Sequence, residues 1–413
     1  MRLRDRFGRR RHALPRGLAL AVVLFACALA ACVGGPDGGP RSATRTPPVA
    51  ADAPVAADAV PASGTRIGAG SVKLALILPL TGQGAAIGTA MRNAAELAIE
   101  DFQKPDLEIL VKDDRGTPDG AREAAQAALT DGADLVLGPL FAANVQAVAG
   151  VVRPVGKPMV AFSTDAAVAA RGVYLLSFLP QTEVDRIVDA AVAGGRTSFA
   201  ALIPESSYGN AVEAQFREAV ARKGARLVVL ERYPPGNPAA AVARVSGLIA
   251  GPGAQADALF LPDTPEGLTA LAPALTRAGF SPARVKPLGT ALWNDPRVFA
   301  LPALQGGWFA AADPAGFASF SQRYQARFGA APPRVATLAY DAVSLSAALT
   351  RQYGSQRFAD ATLTNPAGFA GTDGTFRFRP DGASDRSLAV SEVRSGGAAI
   401  VSPAPRALGP SGT

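Results

Sequence analysis

The chain has 413 residues, 48% hydrophobic and 18% charged, enough for large apolar cores and more than one lobe. Seven arginines and Asp5 place six of the seven net positive charges in residues 1–31, leaving about +1 on residues 32–413. The pI near 9.7 therefore gives no ground for a nucleic-acid partner. The only histidine is His12 and the only cysteines are Cys27 and Cys32, which excludes Ser-His-Asp and Cys-His catalysis and His/Cys zinc sites beyond residue 32.

Residues 1–31 read as an export signal. The arginines form a basic start, 17–31 is uncharged, and small residues precede a cleavage point. The apolar run falls short of the ~20 residues that a membrane-spanning helix needs. Leu29-Ala30-Ala31-Cys32 resembles a bacterial lipobox, which implies a lipoprotein lipidated on Cys32 and anchored to a membrane on the periplasmic side. By resemblance to better-known lipoproteins, Val33 in place of Asp after Cys32 slightly favours the outer membrane. Residues 32–71, rich in Gly, Pro and Ala, predict a disordered tether.

From residue 72 the pattern changes. Residues 72–78 (VKLALIL) form an apolar run that suits a strand covered on both faces. Residues 79–88 make a glycine loop, and Met91, Ala95, Ala98 and Phe102 then mark one face of a helix. Strands are expected at 107–112, 134–137, 158–162 and 173–178, with helices at 119–131 and up to 152. The pattern restarts with a helix over 179–194 and strands at 199–203, 226–230, 258–261 and 285–288. Asp263-Thr264 can cap the helix that follows, with Pro265 at its first position. Past Gly306 the signal is mixed: a long helix over 335–354, then a hairpin of 375–378 and 388–393 joined by Pro380-Asp381-Gly382. Strands alternating with helices predict an α/β protein of two doubly wound Rossmann-like lobes.

Six segments in order carry a family resemblance: LALILPLTGQGAAIG, DDRGTPDGAREAA, DLVLGPL, SSYGNAV, ATLAYDA and FAGTDGTFRFRPDG. Together they resemble the leucine-binding-protein type (type I) of periplasmic binding proteins. That resemblance implies three hinge crossings, near 178–180, 309–312 and 371–374. It divides the chain into an N-terminal lobe (72–178 plus 310–370), a C-terminal lobe (179–309 plus 371–402) and a disordered tail (403–413). It also implies capture of a small amino-acid-like solute between closing lobes, for an ABC permease.

By this resemblance the family's ligand positions fall on Ile87 in place of an aromatic, on Ala142 beside Phe141 in place of a serine, on Ser163, Thr164 and Asp165, which keep the polar character, on Tyr208, which matches, and around Thr290. The acidic residue that receives an ammonium falls near Ala291 and is missing, with Asp263 as a neighbouring candidate. A buried ammonium without a carboxylate costs several kcal/mol. A second reading therefore follows from resemblance to penicillin-binding-protein activators, lipoproteins whose partner is a cell-wall synthase. Other motifs have plainer readings. Gly82, Gly84 and Gly88 miss the dinucleotide fingerprint by one position, Asp113-Asp114 reads as a strand end with a cap, and Trp293 and Trp308 read as packing residues. No enzyme activity, cofactor, metal or nucleic acid is expected.

Overall fold

The structure, a computed structural model, describes residues 66–408. The expected export signal, Cys32 and most of the tether lie outside the described residues.

The first lobe opens with β1 (Arg66–Gly68), β2 (Val72–Leu78), α1 (Ala85–Asp101), β3 (Leu107–Asp113) and α2 (Pro118–Thr130). It continues with β4 (Leu135–Leu137), α3 (Ala142–Val152), β5 (Met159–Ala161) and β6 (Val173–Leu175). The second lobe follows with α4 (Pro180–Ala193), β7 (Ser198–Pro204), α5 (Ser207–Arg222), β8 (Arg226–Tyr233) and α6 (Ala239–Ile249). Then come β9 (Ala258–Phe260), α7 (Pro265–Arg277), β10 (Lys286–Gly289), the short α8 (Pro296–Phe299) and β11 (Trp308–Ala311). The chain returns through α9 (Pro314–Phe328), α10 (Ala336–Tyr353), α11 (Asp360–Leu363), β12 (Phe376–Phe378) and β13 (Ser384–Arg386), and ends with β14 (Ala389–Arg394) and β15 (Gly397–Ser402).

Both lobes are wound the same way. The first sheet runs β1-β3-β2-β4-β5-β6, parallel except for β1 on its edge. The second runs β15-β14-β11-β10-β9-β7-β8, with β14 and β15 the antiparallel pair. In each, the five parallel strands reverse order after the first, the arrangement that opens a crevice at strand C-termini. Apolar clusters cover both faces of each sheet. Those of the first are closed by α1 and α10 on one side and α2 and α3 on the other. Those of the second are closed by α6 and α7, and by α4 and α5. Each fully buried Leu, Ile or Phe in them contributes ~1.5–3 kcal/mol, so neither lobe depends on a disulfide.

Local signals explain the helix starts. Thr117 Oγ1 accepts the Gly120 N–H at 3.1 Å ahead of Pro118, and Thr264 Oγ1 accepts the Gly267 N–H at 3.2 Å ahead of Pro265. α1 begins sooner than the glycine loop implied. Gly84 takes φ 88° as its N-cap, and Gly88 lies inside the helix because any Cβ there would stand 2.0 Å from the Pro79 carbonyl oxygen.

Four expectations are corrected. Order begins before residue 72: β1 pairs antiparallel with β3, and the Ser71 hydroxyl donates to Asp106 at 2.6 Å. The hairpin pairs β12 with β13, Phe376 opposite Arg386, whereas 389–394 pairs with β11 and β15 in the second sheet. Consequently Phe376 and Phe378 belong to the first lobe's core, and the third crossing lies at Ser387–Leu388 rather than 371–374. Arg186 on α4 fixes it by donating to the Leu388 carbonyl at 2.8 Å. The second crossing follows Ala311, the last residue of β11, within the expected 309–312. Finally, part of the C-terminal stretch is tied down: the Arg186 guanidinium donates to the Pro403 carbonyl at 3.3 Å, and the Ser387 hydroxyl to that of Pro405.

Candidate functional site

A cavity of about 420 Å³ lies between the lobes, within the ~300–1,000 Å³ of small-molecule sites. The first lobe supplies Thr164, just past β5, and Arg334, ahead of α10. The second supplies Tyr208 from α5 and Ala291, Leu292 and Asn294 from the turn after β10. Phe178, Pro180, Ala312 and Leu388 line it where the chain crosses between the sheets. The walls are mostly apolar. Glu183, in the first turn of α4, is the sole acid of this lining among the described residues, and Arg334 the sole base.

Glu183 is buried, and its Oε2 accepts the Ala291 N–H at 2.9 Å. Burial pushes its carboxyl up to about 8, while that N–H and the Arg334 charge act in the opposite sense. Arg334 donates from Nη2 to Asp373 Oδ1 at 2.5 Å and lies 5.8 Å from the Phe178 ring. Asp373 in turn accepts from Thr337 Oγ1 at 2.5 Å, so a buried network fixes the guanidinium. Across the floor, Tyr208 donates its hydroxyl to Thr290 Oγ1 at 2.7 Å. Burial, then the neighbouring Glu183 charge, raise the Tyr208 pKa and keep the phenol protonated.

Of the residues singled out in the sequence, Thr164 and Tyr208 line this cavity. Thr290 stands behind Tyr208, fully buried. Asp263 is turned inward: it accepts from the Tyr233 hydroxyl at 2.6 Å and the Thr264 N–H at 2.7 Å, against Gly267. Ser163 Oγ accepts the Asp165 N–H at 3.1 Å and Asp165 accepts the Ala167 N–H at 3.0 Å, so both shape their own turn. Ile87 is exposed on α1, Phe141 packs over Gly84, and Ala142 opens α3; none of the three lines the cavity. Asp113 holds the glycine loop through Leu80 N–H and Thr81, and Asp114 holds Asn144 Nδ2 at 2.9 Å, which is a structural use of that acidic pair. Trp293 is core, its Nε1 donating to the Leu261 carbonyl at 2.9 Å.

Sequence reasoning missed Glu183 and Arg334. An acid in a helix's first turn reads as a dipole partner, and Arg334 lies in the stretch of mixed signal. A larger hollow of about 920 Å³, between β1, α1 and residues 103–106, lies at strand N-termini, opposite the C-terminal edge where open α/β sheets bind their ligands.

Solved structures share this architecture. A branched-chain amino acid ABC transporter protein from Rhodospirillum rubrum is 24% identical, with TM-score 0.71, over 80% of this chain and 99% of its own. A branched-chain amino acid transporter substrate-binding protein from Streptococcus pneumoniae, solved with isoleucine, is 18% identical with TM-score 0.54, over 80% and 99%. An ABC transporter solute-binding protein from Rhodopseudomonas palustris BisB5, solved with 3,4-dihydroxybenzoic acid, is 20% identical with TM-score 0.57, over 81% and 96%. No match was found among curated proteins. The family model for periplasmic binding proteins matches residues 71–398. With two like-wound lobes, a cavity between them and a family match over most of its length, the chain belongs to the periplasmic binding protein family and has its type I fold.

Proposed function

We propose that this chain is the solute-capturing component of an ABC importer, taking a small amino-acid-like or related solute between its lobes and presenting it to the permease. The observation that carries this reading is the interlobe cavity, sized for a small molecule and holding one carboxyl, one guanidinium and a tyrosine hydroxyl among apolar walls. Contacts to both lobes exist only when the cleft is closed, so a solute shifts the population towards closure. Capture is binding without bond making. A lipid on Cys32 would keep the protein at the membrane, and loss of that lipid in Cys32→Ala would release it.

The test is a thermal-shift screen of amino acids, small aromatic acids and short peptides. A solute at a hundredfold excess over its Kd stabilises by about 2.7 kcal/mol, which raises the melting temperature by several degrees. The absence of any shift across the screen, with a cell-wall synthase recovered by crosslinking, would overturn it in favour of the activator reading.

A further inference from the structure

We propose that Glu183 is the receptor for an ammonium group of the captured solute, and that capture of that group releases a proton to solvent. The proposal rests on the solute-capture reading above and specifies its chemistry.

Three observations converge. The Ala291 N–H, in the second-lobe turn after β10, holds Glu183 Oε2 at 2.9 Å. A carboxylate thus arrives at that place from a helix 108 residues earlier in the chain. Glu183 is buried, lines the cavity, and forms no ion pair among the described residues, where Arg334 is the cation that acts on it. Arg334, across the cavity, makes its ion pair with Asp373. Among the described residues, the charged and titratable groups acting on Glu183 are Arg334 from the first lobe and the Tyr208 phenol from α5, whose pKa the inward-turned Asp263 also raises. Around them stand Phe178, Pro180 and Leu388. A carboxylate so enclosed is costly to ionise alone and stable when paired.

The empty site therefore holds Glu183 as the acid at neutral pH, in line with a carboxyl pushed up to about 8. A bound ammonium compensates the charge. The O–H bond of the carboxyl breaks, the proton leaves to solvent, and the carboxylate accepts hydrogen bonds from the ammonium. A carboxylate on the same solute would lie on the Arg334 side, so the fitting class is a small zwitterion.

The experiment is isothermal titration of the whole protein with L-leucine, L-phenylalanine, 4-methylpentanoate and benzoate. It is run at pH 6, 7 and 8, in two buffers of different ionisation enthalpy. The proposal expects the two amino acids to bind and the two amine-free acids to fail. Affinity should rise by up to about tenfold per unit between pH 6 and 8, with buffer-dependent heat showing proton release. Glu183→Gln, which keeps an acceptor for the Ala291 N–H, should weaken amino-acid binding by ~100-fold or more and flatten the pH profile. Equal binding of benzoate or 4-methylpentanoate, a flat profile in the parent protein, or unchanged binding by the folded variant overturns the proposal while leaving solute capture standing. Silence from all four, combined with a screen without shifts, overturns capture itself and this inference with it.

Discussion

Replacing Asp373 with alanine tests the network that holds the cleft's guanidinium. The Asp373 side chain is fully enclosed. It accepts from Arg334 Nη2 and from Thr337 Oγ1, each at 2.5 Å, and its backbone carbonyl accepts from Arg386 Nη1 at 3.5 Å. The bond to Arg334 is charge-assisted and worth about 1.5–3 kcal/mol; that to Thr337 is worth about 0.5–1.5. Arg386 is buried, with burial pushing its pKa down and Asp341 and Asp373 holding it up, so the loss also removes one of its two neutralising charges. Breaking one partner of such an enclosed set costs about 3–5 kcal/mol, and that is the loss expected for Asp373→Ala. Urea unfolding followed by far-ultraviolet circular dichroism at pH 7 measures it. Asp373→Asn, which keeps shape and the Thr337 contact, should lose less. A cost below about 1 kcal/mol for the alanine variant would show that the charges are solvated independently of Asp373, and the reasoning would fail.

Three further outcomes follow from the same geometry. Without solute, the folded Glu183 carboxyl titrates near 8 against an ordinary 4.5, so the folded state holds the extra proton and stability falls as pH rises through that window. Glu183→Gln should match the parent near pH 4.5 and exceed it by up to about 5 kcal/mol at pH 9; melting curves that stay parallel from pH 5 to 9 would contradict this. Gly289→Ala would place a Cβ 2.1 Å from Trp293 Cε2, on a ring pinned by its bond to the Leu261 carbonyl. A cost of about 3 kcal/mol is expected, read as a melting temperature lowered by several degrees. Phe216→Ala removes a ring stacked at 4.5 Å on Phe260 and edge-on at 6.1 Å to Phe199. It should cost about 3–5 kcal/mol in chemical denaturation with little change in solute affinity, since Phe216 is not among the residues lining the cavity.

The misreadings have physical causes. β1 is Arg-Ile-Gly, indistinguishable in composition from the tether before it, and it is a strand because β3 offers an open edge. β13 is Ser-Asp-Arg, poor in the β-branched and aromatic residues that signal a strand. It pairs with β12 through the Arg377–Asp385 ion pair at 2.5 Å, whereas the apolar 389–394 is drawn to the second sheet. The glycine loop was legible as a turn, but Gly88 inside α1 was not, because the need for a bare Cα comes from Pro79 across the turn.

By itself the sequence determined the winding. Apolar runs bounded by glycines, helices with period 3.6 and caps such as Thr117 and Thr264 are local, and local spacing suffices to order strands and helices into two lobes. Only the tertiary structure decided which groups meet in the cleft. Glu183 and Arg334 lie 151 positions apart and belong to different lobes, and the Ala291 N–H that holds Glu183 is 108 positions away. Nothing along the chain encodes their approach. It follows from where the crossings bring the two sheets together, and that depends on packing over the whole molecule.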